Sequence, residues 1–171
     1  MKLKNREKKG GFAEQIQPAQ YRSIALEFLC MGCGMVALKA GHLGWYFMSS
    51  DTVPSLERLK LSDMSSWASR ELWCPAYLVK NIAGATGSGD SSIAGFLAAL
   101  IKGKSPEECL HLANCAGYHN LSGLDALSGL KNWEQVEKDS STLKLCRLSF
   151  LEQTEWQYHT TKRIWERTAQ K

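Results

Sequence analysis

One stretch of the chain combines residue types that could hold a phosphate and accept a proton. Residues 84–90 read Gly-Ala-Thr-Gly-Ser-Gly-Asp, so a carboxylate directly follows a cluster of glycines. Glycines let backbone amides approach an anion without side chains in the way. From Ile93 to Ile101, apolar residues recur at helical spacing. The pattern predicts a helix whose N-terminus, the positive end of its dipole, lies at the glycines.

Two known phosphate-binding patterns do not fit this stretch. Gly84 and Gly89 have the spacing of a P-loop, but Asp90 and Ser91 stand where that motif requires Lys and Ser or Thr. The dinucleotide pattern fails because Ser92 stands where its last glycine belongs. A carboxylate beside a phosphate would repel it, so the acid needs another task. Accepting the proton of a hydroxyl that attacks the phosphate is the task that fits.

The segment Gly87-Ser88-Gly89-Asp90, with Ile93-Ala94-Gly95-Phe96-Leu97 after it, resembles the C-terminal signature of the PfkB (ribokinase-like) carbohydrate kinases. The resemblance implies that Asp90 is the catalytic base. It also implies that the amides of Gly87, Ser88 and Gly89 form an anion hole, and we expect an unusual φ at Gly89. The alternative is a plain helix start, with Asp90 as the N-cap and the glycines as a turn.

A glycine turn between two apolar runs extends the resemblance toward the N-terminus. The runs at residues 34–38 and 45–48 predict strands, and Gly41-His42-Leu43-Gly44 joins them. The pair resembles the strand–G-x-x-G–strand segment of the family, which implies that Gly41 is a nucleotide-binding residue. An ordinary hairpin turn is the alternative.

A second helix start follows the signature helix. Ser105, Pro106 and Glu108 have the N-cap, N1 and N3 spacing of a capping box. Within the helix, residues 113–117 resemble the small-residue segment that makes room for adenine in the family. That resemblance implies that Asn114 binds the nucleotide, and close helix packing with a surface asparagine is the alternative.

The resemblance implies a fold class and a division of the chain. We expect the C-terminal half of a ribokinase-like α/β/α sandwich, with a mostly parallel sheet and an antiparallel edge. Residues 1–20 form a basic and polar leader, and residues 21–140 the nucleotide-binding half of the kinase domain. Residues 141–171 are predicted to form a helical C-terminal extension, because its apolar and threonine side chains recur at helical spacing: Leu151, Thr154, Tyr158, Thr161 and Trp165.

The function implied is that of an ATP-dependent carbohydrate kinase, with ATP and Mg²⁺ as cofactors and a small sugar as the acceptor. The N-terminal half of such a kinase, which supplies most of the sugar pocket, has no counterpart here, so we expect a truncated enzyme. A non-catalytic nucleotide-binding fragment is the alternative. Gly84 and Ala85 stand where many family members carry Asp-Thr at a monovalent-cation site, which leaves dependence on potassium open.

Composition limits the partners. The net charge is +4, and much of it lies in the first eleven residues, which carry five cations against Glu7 alone. No aromatic residues alternate with these charges, so we expect a solvated leader and no nucleic-acid partner. No apolar run is long enough to span a membrane, and no membrane partner is expected. Self-association into a homo-oligomer is left open.

The six cysteines do not form a metal-binding pattern. Cys30 and Cys33 make a lone C-x-x-C, with no second pair at zinc spacing. We therefore expect no metal site built from cysteine, and free thiols in a reducing cytoplasm.

Overall fold

The computed structural model describes residues 17–53, 63, 65–152 and 154–168, so most of the predicted leader lies outside the described residues. The described part contains helices and strands in the following order: α1 (Pro18–Cys30), β1 (Met35–Lys39), β2 (Trp45–Ser49), β3 (Glu71–Cys74), α2 (Ser88–Ile101), α3 (Pro106–Asn120), α4 (Trp133–Thr142), β4 (Trp156–His159) and β5 (Ile164–Arg167). No helix within these residues is both long and apolar enough to cross a membrane.

The strands form one sheet in the order β1-β2-β3-β5-β4. Every pair of neighbouring strands in the described part is antiparallel. The expectation of a mostly parallel sheet is therefore wrong for this part of the chain. A tight turn over Ala40–Gly44 joins β1 to β2, and such a connection is too short for the crossover that a parallel pair needs.

Alternating side chains divide the core into two layers, one on each face of the sheet. Trp45 and Phe47 pack with buried residues of α2, α3 and α4. Tyr46 and Trp73 point to the other face and pack with Tyr21 of α1. The sheet thus lies between helices, as the predicted α/β/α arrangement requires.

The described part of residues 143–171 forms two strands and one short 3-10 turn, which corrects the prediction of a helical C-terminal extension over residues 141–171. After the end of α4, the chain forms the antiparallel hairpin of β4 and β5. Strand β5 also pairs with β3, and Trp73 lies opposite Trp165. Backbone N–H and C=O groups along the outer edge of β3 need hydrogen-bond partners. Pairing with β5 supplies them, and this outweighs the helical spacing of side chains within residues 141–171.

Close packing of α2 on α3 places the glycine turn. A Cβ atom added to Gly95 would lie 2.8 Å from the Cβ of Ala116 and 3.0 Å from the carbonyl oxygen of Leu112. A Cβ on Gly117 would lie 3.1 Å from the carbonyl oxygen of Ser88. The two glycines therefore allow the N-terminal half of α2 to lie directly against the C-terminal half of α3.

The predicted start of α3 is confirmed. The Ser105 hydroxyl oxygen accepts a hydrogen bond from the Glu108 amide, at 3.3 Å, and the Ser105 amide donates to the Glu108 carboxylate, at 2.9 Å. This capping box fixes where the helix begins, and Asn114 then lies on a buried turn of it.

Candidate functional site

A cavity of about 500 Å³ opens where the β1–β2 turn, the start of α2 and the middle of α3 meet. Its lining contains four of the predicted site residues, namely Gly41, Ser88, Gly89 and Asn114. We call it the glycine-turn cavity. Its volume lies within the range of about 300–1,000 Å³ found for small-molecule sites. Gly41, the Ser88–Gly89 pair and Asn114 are far apart in sequence, so their meeting is a property of the fold.

Gly87 provides the left-handed residue on which the turn depends. Its φ is 75°, and it is the N-cap of α2. A Cβ at this position would lie 2.7 Å from atoms of Ala126, so only glycine fits. The expectation of an unusual φ at Gly89 is wrong, because Gly89 is already a helical residue and the positive φ lies two positions earlier.

Asp90 lies in the first turn of α2 with an exposed side chain. The alternative that makes Asp90 the N-cap is wrong, since Gly87 occupies that position. Among the described residues, Asp90 and Gly87 do not line the glycine-turn cavity. Asp90 directly follows Gly89, which lines the cavity, and its side chain is open to solvent.

Lys39, which no motif in the sequence indicates, approaches the glycine turn. A Cβ atom built on Gly89 would lie 2.8 Å from Nζ of Lys39 and 3.9 Å from its Cε. Lys39 is the last residue of β1 and lines the same cavity. The signal that could have found it is a cation at the end of an otherwise apolar strand, just before a glycine turn.

The β1–β2 turn lies against the end of β3. Gly41 has φ 58° and is exposed at the cavity. Gly44 has φ 97°, and a Cβ there would lie 2.0 Å from the carbonyl oxygen of Cys74. The turn is therefore a hairpin turn, which is the alternative that the sequence left open. It also forms one wall of the cavity.

Asn114 is buried, and its side chain already has partners in the chain. Its Nδ2 donates to the carbonyl oxygen of Pro75 at 3.1 Å and to that of Cys74 at 3.3 Å. These bonds tie α3 to the segment that follows β3, which agrees with a packing role. Because its amide hydrogens are used in this way, Asn114 can offer a ligand its side-chain oxygen.

A buried Cys–His–Tyr cluster behind Asn114 is structural. Burial raises the pKa of the Cys74 thiol to about 12, and burial lowers the pKa of His111. The imidazole Nε2 lies 2.9 Å from the carbonyl oxygen of Lys162, so Nε2 carries the proton. Nδ1 then faces Cys74 at 3.4 Å and Tyr77 at 3.3 Å as an acceptor. A neutral thiol beside a neutral imidazole is not a reactive nucleophile.

A second cavity, of about 790 Å³, is lined by more charges and lies between the start of α3, the end of α4 and the β4–β5 turn. We call it the charged cavity. Glu107 accepts from Arg70 and from Lys162, both at 2.7 Å. Arg70 also contacts Glu166 at 2.8 Å, and Lys104 contacts Glu137 at 2.9 Å.

The ion pairs set the protonation of the buried acid in the charged cavity. Burial alone would raise the pKa of Glu107, but hydrogen bonds from Lys162 and Arg70 outweigh it and lower the pKa to about 2. Glu107 is thus a charged side chain held between cations, and it ties β3 and the β4–β5 turn to α3.

The described residues contain no group of three His, Cys, Asp or Glu side chains placed to hold a metal ion. All six cysteines are free, and Cys30 and Cys33 are exposed at the end of α1.

Comparison with known proteins bears on the same region. Residues 65–129 match the family model described as pfkB family carbohydrate kinase. The resemblance to the pfkB family is confirmed. The match includes the glycine turn, Asp90 and Asn114, whereas Lys39 and Gly41 lie ahead of it.

Solved structures show the same fold. A ribokinase from Thermotoga maritima is 25% identical, with a TM-score of 0.53, and the match covers 68% of this chain and 33% of that one. A nucleoside kinase from Methanocaldococcus jannaschii is 16% identical, with a TM-score of 0.55 and coverages of 73% and 38%. The phosphofructokinase-2 of Escherichia coli, in complex with potassium, is 18% identical, with a TM-score of 0.53 and coverages of 74% and 34%. The chain thus spans about a third of the length of the structures that it matches.

Proposed function

We propose that this chain is the nucleotide-binding part of an ATP-dependent carbohydrate kinase of the pfkB type. The observation that carries the proposal is the glycine-turn cavity, where Gly41, Ser88, Gly89 and Asn114 meet at the start of α2. Most of these residues lie inside the segment that matches the family. A left-handed glycine at the N-terminus of α2 and an exposed carboxylate in its first turn lie close together in sequence there.

In this proposal, the amides of Gly87, Ser88 and Gly89 bind the phosphoryl group that is transferred. Gly41 and Asn114 lie on the cavity wall that would face the nucleoside. The carboxylate of Asp90 takes the proton from a sugar hydroxyl as its oxygen attacks the γ-phosphorus. The bond to the bridging oxygen breaks, ADP leaves, and the turn amides stabilise the charge on the transferred group.

Magnesium is expected with ATP, and when bound it neutralises charge on the phosphates. The described residues provide no three-ligand cluster for it. We therefore assign no residue of this chain to the ion, and none of the roles given above depends on it.

A non-catalytic nucleotide-binding fragment is the second candidate. The span of about a third of the matched structures favours it. So do the large apolar side chains that are exposed on α1, at its C-cap Met31 and on α2: Ile24, Phe28, Met31, Ile93, Leu97 and Ile101. Such a surface is typical of a core that lacks its neighbour.

One set of measurements on the 171-residue chain tests both candidates. We expect weak binding of AMPPNP, a non-hydrolysable ATP analogue, in a calorimetric titration. We also expect no sugar-dependent ADP release in a coupled assay over a panel of sugars, since no described residue has been assigned to fix a sugar hydroxyl near Asp90. Sugar-dependent release at about 1–100 per second would reject the fragment in favour of a complete kinase. Absence of any nucleotide binding would overturn both candidates.

A further inference from the structure

We propose that the side-chain amide of Asn120 anchors the glycine turn in the place of a monovalent cation, so that phosphate binding at the turn does not depend on potassium. The inference rests on the proposed function and extends it to a residue without an assigned role. Gly84 and Ala85 stand where many family members carry Asp-Thr at a monovalent-cation site, so this chain lacks the carboxylate there.

The position of Gly84 does not fit a carboxylate ligand. A Cβ atom there would lie 2.8 Å from the carbonyl oxygen of Gly123 and 3.2 Å from that of Leu124. Both oxygens belong to the loop after α3, and contacts this short leave no room for an aspartate unless the backbone moves. Residue 84 therefore cannot supply the negative charge that such a cation site takes from its aspartate.

Hydrogen bonds of the chain itself join this segment to the loop after α3. The carbonyl oxygen of Leu121 accepts from the amides of Ala83, at 2.9 Å, and of Gly84, at 3.4 Å. The carbonyl oxygen of Ala85 accepts from the amide of Ser88, at 3.2 Å, and from its hydroxyl, at 3.0 Å. Potassium needs several oxygen ligands to replace its hydration shell. Here the two segments touch directly, and these two oxygens already serve donors of the chain.

Asn120 supplies a further link between α3 and the glycine turn. It is the last residue of α3 and is fully buried. Its Nδ2 donates to the carbonyl oxygen of Thr86 at 2.8 Å. An N–H group presents positive charge to that oxygen, as a cation would.

This contact controls the direction of a turn amide. The carbonyl group of Thr86 and the amide of Gly87 belong to one peptide unit, which is planar and trans. Holding the oxygen toward Asn120 therefore holds the Gly87 N–H in the opposite direction. Gly87 is the N-cap of α2, and its amide is one of the three proposed to bind the transferred phosphoryl group. Asn120 thus acts as a positioning residue, through Thr86 and without touching the phosphate.

The other polar atom of the Asn120 side chain shows which group is needed. Its Oδ1 is buried and has no hydrogen-bond partner within the described residues. An unpaired buried oxygen lowers stability, so an apolar side chain would serve packing alone better. Turning the amide over would bring Oδ1 against the Thr86 oxygen, and two acceptors repel each other. What asparagine adds here is therefore the N–H donor, and its single neutral oxygen is too few for potassium.

Two measurements on the full chain test the inference, and the first compares salts. Thermal unfolding and calorimetric titration with AMPPNP are run in KCl, NaCl and choline chloride at one ionic strength. We expect unfolding midpoints within about 1 °C of each other and affinities within about twofold. A potassium ion at about a hundred times its Kd would raise the midpoint by roughly 5–10 °C. A midpoint or an AMPPNP affinity that rises in KCl alone would overturn the inference.

The second measurement compares two variants that each lose one side-chain hydrogen bond. Asn120→Ala removes the donor to Thr86, and Asn132→Ala removes the acceptor of the Gln135 amide at the start of α4. Asn120→Ala should weaken binding of AMPPNP and inorganic tripolyphosphate by about tenfold and of adenosine by less than about twofold, because adenosine has no phosphate for the Gly87 amide. Asn132→Ala should leave all three affinities unchanged. Circular dichroism checks the fold, and Asn120→Leu, which keeps a similar volume, replaces the alanine variant if that one is misfolded.

The possible outcomes assign failure to one proposal or the other. If Asn120→Ala binds AMPPNP and tripolyphosphate as tightly as Asn132→Ala does, Asn120 does not position the turn and the proposed function is untouched. An equal loss for adenosine would also overturn the role, because that pattern indicates a damaged cavity. If the parent binds tripolyphosphate but no nucleotide, and Asn120→Ala weakens that binding, the role of Asn120 stands and the proposed function fails. If the parent binds neither phosphate ligand, both proposals fail.

Discussion

The glycine-turn cavity and the charged cavity both contain cationic side chains, but these side chains differ in whether they have partners within the chain. In the charged cavity, Arg70, Lys104 and Lys162 each contact a carboxylate, and Arg163 donates to the carbonyl oxygens of Ser140 and Ser141. In the glycine-turn cavity, Lys39 has no such partner within the described residues. The larger and more highly charged cavity is thus the more fully satisfied one.

This difference separates a cavity that holds the fold together from one that is suited to a ligand. Side chains in ion pairs have already exchanged their contacts with water for contacts with each other. A ligand that bound them would have to break those pairs. Lys39 is exposed and has no carboxylate partner among the described residues, so an anionic ligand near the start of α2 would not have to break an ion pair. Lack of compensation, and not the number of charges, therefore favours the glycine-turn cavity as the site.

The largest effect we expect concerns Asp90. In any assembly containing this chain that transfers phosphate, Asp90→Asn should lower turnover by about 10²–10⁴-fold, because asparagine keeps the shape but cannot take the proton. The measurement is a steady-state coupled assay, with AMPPNP affinity as the control for an intact cavity. Near-normal turnover would remove Asp90 from the role of base.

The next effect belongs to the charged cavity and should change stability alone. Glu107→Gln removes the charge that Arg70 and Lys162 share, and we expect a loss of about 2–4 kcal/mol in the free energy of unfolding. Denaturant titration measures it. AMPPNP binding at a temperature where the variant is folded should be unchanged, and a matching loss of affinity would show that the two cavities are not independent.

Acid should act on the same network. The pKa of Glu107 is about 2 in the folded chain and about 4.5 in an ordinary glutamate, so the unfolded state binds the proton more tightly. The stability that Glu107 contributes is therefore present above pH 4.5 and is lost as the pH falls toward 2. Thermal unfolding of the parent should show a steeper decline across this window than that of Glu107→Gln. Parallel curves for the parent and the variant would mean that Glu107 does not cause the loss of stability at low pH.

A smaller effect separates folding from binding within the glycine-turn cavity. Gly89→Ala puts a Cβ 2.8 Å from Nζ of Lys39, which is too close, and the flexible lysine can move aside. Because alanine favours helices by up to about 1 kcal/mol over glycine, the free energy of unfolding should be equal or slightly higher. AMPPNP affinity should fall by about tenfold, since the ammonium is displaced and the amide is partly covered. The variant argues against the site if it binds as the parent does.

The smallest effect lies at the rim of the charged cavity. Lys104 contacts Glu137, and both side chains are about one-third exposed. Lys104→Met should lower the free energy of unfolding by no more than about 1 kcal/mol, because solvent screens such a pair. A loss as large as that of Glu107→Gln, measured by the same denaturant titration, would show that the rim and the buried acid form a single unit.

Local signals explain what the sequence could predict. The glycine turn, the capping box at Ser105 and the helix that begins after it depend on neighbouring residues, and the structure has all three. The β4–β5 hairpin depends on the distant edge of β3, and no local pattern reveals that edge. Lys39 was missed for the same reason, since its closeness to Gly89 exists only after β1 packs on α2.

The position of β5 beside β3 also determines when the sheet can be completed. Arg70, just ahead of β3, pairs with Glu166 of β5, and the two residues are 96 positions apart in sequence. During synthesis, β3 leaves the ribosome long before its outer neighbour β5 exists. Trp73 therefore has no Trp165 opposite it while α2, α3 and α4 are made. Such long-range closure is slow and leaves a strand edge open to other chains. Chains released before residue 164 should therefore aggregate during folding, whereas chains that include β5 close the edge themselves.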